Sequence, residues 1–355
     1  MIPAFLCVDA EPDERSPVIG PRPWTGFESL VDFFEELRSP LAERSGVEPH
    51  PTWFFRMDPV IERCFGRADF VVHNHRSSVD RLLERGDHPA IHVHAHRWDE
   101  EGSHTYSDHA DEAWARHCVT YAAEVFEQSF GEPVRRASLG SRAAPEGMVD
   151  ALVDIGVRVD LTVEPGMEPV HNDSTFGTRT TGPSTDFRGY PRYPYRVSRR
   201  SIAEPATSDD DARPLVEIPR TTYDFERALA RFRRRLKMRV LGLGTPMPVN
   251  VYDVWPNPKT FWDIVGRAAD ESPVPYVAIA MRTDVPTWGS NQIARQLLTA
   301  LVDHPLAKRL AFVDPLGFAD LPRAQPPPPR RPGSTGRAPS TIRSRRTAPA
   351  PTCSR

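Results

Sequence analysis

The sequence predicts an α/β protein in which parallel strands alternate with helices. Short apolar runs recur along the first 165 residues, and amphipathic stretches at helical spacing separate them. Strands that alternate with helices pair in parallel through βα units. Several runs end in acidic, histidine or serine residues, and active sites of such folds collect at the carboxyl ends of the strands. A chain of 355 residues is long enough for one large domain of this class or two ordinary ones.

The elements of the first half follow in order. The apolar run at 3–9 (PAFLCVD) ends in acids and predicts a buried strand, as does the run at 51–57. Between them, Thr25 opens a capping-box pattern with Glu28, and apolar residues at helical spacing up to residue 37 predict a helix. Further strands are expected at 90–96, 134–139 and 157–163, and further helices at 60–65, 78–85, 108–130 and 145–155.

The second half begins with a stretch of different composition. Residues 166–214 mix Gly, Pro, Ser, Thr, Asp and Arg, so we expect a long loop insertion there. Beyond this insertion the same patterns resume. We expect strands at 215–219, 275–281 and 310–313, and helices at 225–240 and 290–301.

One folded domain is expected over residues 1–322, followed by a tail. Residues 323–355 contain eight arginines, no acidic residue and the run of four prolines at 326–329. Such a segment buries too little apolar surface to offset its ordering entropy, so we expect it to be disordered. Because the whole chain carries a net charge of −3, residues 1–322 carry about −11. An acidic domain of this kind is not expected to bind nucleic acid.

Composition also bears on location. No stretch approaches the roughly 20 apolar residues of a membrane helix, so no membrane insertion is expected. The first residues lack a basic region and reach Asp9 quickly, which is unlike a secretory signal and favours a cytoplasmic protein. The four cysteines show no CxxC spacing and are expected to be free buried thiols.

The densest group of chemically active residues is the run HVHAHRW. Within it, His92, His94 and His96 are spaced at i, i+2 and i+4, so on a strand their side chains share one face. Three imidazoles on one face could chelate a divalent metal such as zinc. The alternative is a half-buried strand whose histidines face solvent. Asp9 and Glu11 also share one face, and a carboxylate with two histidines is an open catalytic metal set.

With these motifs in order, the chain resembles the polysaccharide deacetylase (NodB-homology) superfamily, and its WalW-like branch in particular. The resemblance covers roughly residues 3–315. It depends on the collective order of short motifs rather than on any single one of them. These motifs are DAE near the start, TWFFRMD, HVHAHRW, SLGS, GVRVDLTVEPG, DFRGYPRYPYR, VEIP and AMRTD.

The resemblance implies a distorted (β/α) barrel of about seven parallel strands. It also implies metal-dependent removal of an acetyl group from a sugar. Carried over onto this sequence, Asp9 is the general base, and Glu11, His94 and His96 hold the metal, with zinc the expected ion. His92 is a further possible ligand.

Two positions depart from the family pattern. Members often have an arginine in the fourth strand that orients the base, whereas here Ser138 takes that position, with Arg136 or Arg142 as possible substitutes. The late family motif supplies a histidine general acid, whereas this chain has Arg282 and Asp284. An arginine stays protonated and is a poor proton donor, although it could hold an anionic group.

Aromatic residues offer candidate sugar contacts. Trp98 could line the site, and Tyr190 and Tyr193 could stack on a sugar ring, with ordinary packing as the alternative for all three. The leading functional hypothesis is a cytoplasmic metal-dependent deacetylase whose substrate is a carbohydrate or an intermediate of glycan biosynthesis. The other hypothesis is a catalytically degenerate barrel that binds a glycan or a protein partner. The sequence does not predict an oligomeric state.

Overall fold

Parallel strands form the centre of the fold. The computed structural model describes residues 1–14, 19–20, 24–170, 179–224, 246–249, 257–284 and 293–320. The strands in these ranges are β1 (Ile2–Ala10), β2 (Thr52–Arg56), β3 (His88–Val93), β4 (His96–Asp99), β5 (His104–Ser107), β6 (Arg136–Leu139), β7 (Val159–Asp160), β8 (Arg179–Thr180), β9 (Tyr195–Ser198), β10 (Ala212–Glu217), β11 (Thr222–Asp224), β12 (Pro246–Pro248), β13 (Val277–Arg282) and β14 (Leu310–Phe312).

Seven of the described strands run parallel in one curled sheet, in the order β13–β1–β2–β3–β6–β7–β10. β14 also pairs with the start of β1, and β9 extends the β10 edge in the antiparallel direction. The two ends of the parallel set meet just after β10. There Thr221 N donates to Ala278 O of β13 at 2.9 Å, and Ala278 N donates to Thr221 Oγ1 at 2.8 Å. The predicted distorted (β/α) barrel of about seven parallel strands is confirmed.

Helices cover the outer face of this sheet. They are α1 (Thr25–Ser45), α2 (Pro59–Phe65), α3 (Phe70–Asn74), α4 (Arg76–Glu84), α5 (Glu112–Phe130), α6 (Glu146–Asp154), α7 (Pro258–Glu271), α8 (Ile293–Asp303) and α9 (Pro315–Asp320). Because both faces of the central strands are covered, their sequences are apolar almost throughout. β1, for example, buries Cys7 and Val8 completely.

The start of α1 differs from the predicted capping box. The helix begins at Thr25, but Glu28 does not cap it. Instead, Asp13 of the preceding loop accepts hydrogen bonds from Thr25 N at 3.1 Å and from Gly26 N at 2.8 Å. The capping carboxylate therefore comes from the loop after β1, which ties the helix to the end of that strand.

Three other predicted elements need correction. The strand expected at 90–96 ends at Val93, because the chain turns there and His94 N donates to Asp58 Oδ2 at 3.3 Å. The strand expected at 157–163 pairs as a strand only over Val159–Asp160. The stretch at 166–214 contains β8, β9 and the start of β10. The helix predicted at 225–240 lies outside the described residues.

By their contacts, the described residues within 1–322 form one compact unit. The residues of this unit share one main hydrophobic core between sheet and helices. Cys7, Cys64 and Cys118 are free and buried, as predicted, while Cys353 and the rest of the predicted tail lie outside the described residues. None of the described helices combines the length and apolarity that crossing a membrane requires.

Candidate active site

The carboxyl end of β1 carries two buried acids, Asp9 and Glu11. β1 lies between β13 and β2, so both neighbouring strands end beside these acids. The side chains of Asp9 and Glu11 are 1% and 0% exposed. Glu11 N donates to Thr283 Oγ1 at 2.7 Å, which fixes the chain after β1 against the end of β13. The sequence placed these acids at the mouth of the barrel, and they do lie there.

Asp9 is held by an arginine that the sequence analysis did not single out. Arg220 follows β10, and its Nη2 lies 3.1 and 3.0 Å from the two oxygens of Asp9. The same nitrogen donates to Ser138 Oγ at 2.8 Å, and Arg220 Nε donates to Leu161 O at 3.0 Å. An arginine was expected where Ser138 stands, and Arg220, which follows β10, contacts both Ser138 and Asp9.

The three histidines form one buried cluster, although only His92 belongs to β3. His94 lies in the turn after that strand, and His96 begins β4. His92 Nε2 lies 2.9 Å from His94 Nε2, and His94 Nδ1 lies 3.2 Å from His96 Nε2. Their side chains are nearly inaccessible. The predicted grouping is therefore present, while the solvent-facing alternative is wrong.

Hydrogen bonds assign the proton positions on the two outer imidazoles. Arg56 Nη2 donates to His96 Nδ1 at 3.0 Å, and because arginine only donates, neutral His96 carries its proton on Nε2. His92 Nδ1 donates to the Ser138 carbonyl oxygen at 3.0 Å, so His92 Nε2 keeps a lone pair. Burial, with the Arg56 charge, lowers the pKa of His94 and His96 well below the usual range. His94 and His96 are therefore neutral, and Nε2 of His92 is free of the proton that Nε2 of His96 carries, so it can offer an electron pair to a metal.

Glu11, His92 and His94 could hold a metal ion. One ligand atom from each lies within 4.8 Å of the others, and all three residues are buried. Glu11 Oε1 accepts no hydrogen bond of good geometry from the described residues, although Arg282 Nη2 lies 2.6 Å from it as an ion pair. The bond from His92 Nδ1 to a backbone carbonyl is the usual outer support of a metal-binding histidine. A carboxylate with two neutral imidazoles fits a divalent metal, whereas the sequence analysis had placed His96 in this set.

The backbone after β6 is shaped to receive His94. A Cβ atom built on Gly140 would lie 2.2 Å from His94 Nε2, so the ring occupies the space that any larger residue would need. Ser141 and Arg142 then adopt left-handed backbone conformations, with φ of 57° and 51°. This turn places Ser141 Oγ 3.0 Å from both His94 Nδ1 and His96 Nε2.

Two arginines hold the two oxygens of Glu11. Arg56 Nη1 lies 3.1 Å from Oε2, and Arg282 Nη2 lies 2.6 Å from Oε1. Burial alone would raise the pKa of the Glu11 carboxyl, but the Arg282 charge together with His92 and His94 lowers it well below its usual range. Glu11 is therefore an anion whose charge is shared between a predicted metal site and two guanidinium groups.

Comparisons with known proteins point to one fold. No protein-family model matches the sequence, and no curated protein matches it either. A solved structure assigned as a glycoside hydrolase/deacetylase from Parabacteroides distasonis matches with a TM-score of 0.56 and 14% identity, covering 89% of this chain and 70% of that one. A second, assigned as a polysaccharide deacetylase from Mycobacterium smegmatis, has a TM-score of 0.44 and 13% identity, covering 85% and 81%. The fold is that of the NodB-like polysaccharide deacetylases. The WalW-like branch stays a prediction.

Within this NodB-like barrel, the remaining predicted site residues bind partners other than the acids of β1. Arg142, at the turn after β6, pairs with Glu164 at 3.0 Å. Asp284 binds Arg282 through both of its oxygens, at 2.8 and 2.7 Å. Trp98 is half-buried on β4, and its Nε1 donates to Glu100 at 3.2 Å.

The predicted aromatic platform of the NodB-like barrel is largely packed. Tyr190 and Tyr193 are half-buried against the hydrophobic core. Burial raises the pKa of the Tyr190 hydroxyl to about 12. Phe187 and Tyr195, from the same stretch, are buried. These rings contribute to packing in the described structure, and sugar contacts by Trp98, Tyr190 and Tyr193 stay a prediction.

Proposed function

We propose that this chain is a metal-dependent deacetylase that acts on an acetylated sugar or an intermediate of glycan biosynthesis. One observation carries the proposal. Asp9, held by Arg220, lies at the same strand end as a buried carboxylate and two imidazoles that could share a metal ion. A general base beside an open metal set is what hydrolysis of an acyl group requires. The NodB-like fold supports a carbohydrate substrate.

In this proposal, each residue of the chain has a separate task. Asp9 accepts the proton of the attacking water, and Arg220 holds its carboxylate in one orientation. Glu11, His92 and His94 hold the metal, and His96 supports His94 from behind. Arg56 fixes His96, and Ser141 contacts both His94 and His96.

A divalent metal, with zinc expected, would polarise the acyl carbonyl and make the attacking water more acidic. The leaving group must also gain a proton. Arg282 stands at the end of β13, where the family pattern has a histidine, and a guanidinium is a poor proton donor. We therefore propose that this proton comes from Asp9, which has accepted it from the water and can return it to the leaving group.

Two measurements test the proposal. Purified protein is assayed for bound divalent metal, and acetate release is followed over a panel of N- and O-acetylated sugars. D9N should lose turnover and keep the metal, because an amide cannot accept a proton from water. H94A should lose the metal and turnover together. Wild-type protein that binds no divalent metal at micromolar concentration would remove the basis for hydrolysis.

A second candidate is a catalytically degenerate barrel that binds a glycan or a partner. The observation that favours it is the pairing of both Glu11 oxygens with arginines, together with Arg282 at the position of the expected histidine. Under this hypothesis the wild-type chain retains a sugar or a partner without releasing acetate. Isothermal calorimetry with the acetylated panel and with the deacetylated sugars separates it from the enzyme hypothesis.

A further inference from the structure

Two copies of the same short motif lie on either side of Glu11. Arg56 and Asp58 follow the sequence R-x-D at the end of β2, and Arg282 and Asp284 follow it at the end of β13. In each copy the aspartate binds the arginine of its own motif. Because β1 lies between β2 and β13, the two guanidinium groups approach Glu11 from opposite sides.

The two arginines are held very differently. Arg56 is completely buried, and it binds Glu11, Asp58 and His96 at once through three different nitrogens. Arg282 is 8% exposed, and its contact with Glu11 uses Nη2, the same nitrogen that donates to Asp284 at 2.7 Å. If Arg282 loses its contact with Glu11, it still binds Asp284. Arg56 cannot leave Glu11 as easily, because it also binds His96 and so supports the imidazole cluster.

We infer that Arg282 is a latch that competes with a divalent cation for Glu11. The inference rests on the metal site of the proposed function. Arg282 occupies Oε1, the Glu11 oxygen that also lies 3.4 Å from His92 Nε2. If Glu11 held a cation through that oxygen, Arg282 and the cation would compete for it, and the Arg282 contact would open. Asp284 already binds Arg282, so the guanidinium keeps a carboxylate partner after it leaves Glu11.

Only molecules in which the latch is open can bind the metal. The apparent affinity for metal is therefore the affinity of the open state multiplied by the fraction of molecules that are open. A protein whose competent state is populated one time in ten binds its ligand about tenfold more weakly. Removing the guanidinium should therefore tighten metal binding. Losing one positive charge near the site would also tighten metal binding through electrostatics alone. The experiment must therefore distinguish the loss of the Arg282–Glu11 contact from the loss of a charge.

The experiment measures Zn²⁺ affinity of the full chain after chelator treatment, by competition with a chromophoric chelator. The variants are R282Q, E11Q, the double variant R282Q/E11Q and R142Q. Arg142 is the matched control, because it is a half-buried arginine near the same mouth whose described partner is Glu164 instead of Glu11. R282K is included because it keeps a positive charge for Asp284 if the neutral variant folds poorly, and circular dichroism checks the fold of each.

The expected result is Zn²⁺ binding at least about tenfold tighter in R282Q than in the wild type. The gain should disappear in the E11Q background, and R142Q should stay within about threefold of the wild type. R282K should gain a smaller factor, because an ammonium lacks the fork that serves two carboxylates.

Four results would overturn the latch. An equal gain in R142Q, or a gain that persists without Glu11, would assign the effect to charge alone. Unchanged or weaker binding in R282Q and R282K, with measurable Zn²⁺ binding in the wild type, would refute the latch and leave the proposed function standing. Absence of Zn²⁺ binding in every variant would refute both.

Discussion

Arg220 Nη2 lies 3.1 and 3.0 Å from the two oxygens of Asp9, although 211 residues separate them along the chain. In the proposed mechanism Asp9 is the general base and must keep one orientation, and this contact provides it. R220K keeps the charge but lacks the second nitrogen that binds Leu161 O, so we expect kcat to fall by about 10- to 100-fold with unchanged metal content. S138A, which leaves the Arg220–Asp9 contact in place, should have the smaller effect. Full turnover in R220K would argue against the role of Arg220.

The imidazole tautomers predict which histidines bind metal. H92A removes a lone pair that faces Glu11, so Zn²⁺ affinity should fall by at least about 100-fold. H96Q replaces a ring whose Nδ1 already accepts from Arg56, and a glutamine can accept the same bond, so the loss should be about tenfold or less. Equilibrium competition with a chelator measures both. The reverse ranking would return His96 to the metal set.

Gly140 should be needed for the position of His94. In G140A the new methyl group would lie 2.2 Å from His94 Nε2, so the ring must move. We expect weaker Zn²⁺ binding and a loss of about 1–3 kcal/mol in the free energy of unfolding. G266A is the control, because Gly266 lies within α7 with its nearest neighbour at 3.7 Å. That variant should keep its metal affinity and gain up to about 1 kcal/mol.

A second pair of buried carboxyls predicts a pH dependence of stability. Asp160 and Glu217 are opposite each other on β7 and β10. Among the described residues, Asp160 Oδ2 and Glu217 Oε2 have no hydrogen-bond partner unless the two carboxyls share a proton. Burial raises the pKa of Asp160 to about 6 and raises the pKa of Glu217 well above its ordinary value. The folded state then binds more protons than the unfolded state between about pH 4 and 6, so this contribution to stability falls as pH rises through that window.

D160N replaces the shared proton by an amide hydrogen that does not titrate. The stability of D160N relative to the wild type should therefore rise between pH 4 and pH 7.5. The expected change in the free energy of unfolding is on the order of 2 kcal/mol, and it appears as a rise in the relative melting temperature. Thermal unfolding followed by circular dichroism at several pH values measures this difference. A difference that stays constant with pH would show that the two carboxyls do not share a proton.

The tail predicted over residues 323–355 should be removable. A chain that ends at residue 322 retains the whole compact unit of the barrel. We expect the melting temperature to be unchanged, because a proline- and arginine-rich segment adds no apolar core. Differential scanning calorimetry of the two chains compares them directly, and a clear drop in the shortened chain would contradict the prediction.

Local patterns in the sequence were enough to predict the sheet and the gathering of acids and histidines. Each central strand is buried on both faces, so its apolar run is visible without knowledge of its neighbours. The end of β3 was harder to place. Residues 90–96 look like one strand, but the bond from His94 N to Asp58 ends it at Val93. That bond joins residues 36 positions apart, and no local pattern reports it.

Two arginines of the site, Arg56 and Arg220, were missed for a similar reason. Arg56 and Arg220 each follow or end a buried strand, which is a signal that could have found them. Arginine is common at strand ends, however, and only the curl of the sheet brings Arg220 to Asp9. The same limit applies to the prediction that His96 binds the metal. Its spacing matched a ligand, whereas its role depends on the nitrogen that Arg56 occupies.

The central place of β1 has a consequence for synthesis of the protein. The first strand of the chain pairs with β13 along Ala4–Asp9, with β2 along Cys7–Ala10 and with β14 along Ile2–Ala4. Until residue 282 leaves the ribosome, one edge of this apolar strand lacks the neighbour it will have in the sheet, and exposed apolar edges promote aggregation. The pairing of β1 with β13 therefore has to wait until β13 is synthesised, and completion of the barrel is a late event in folding.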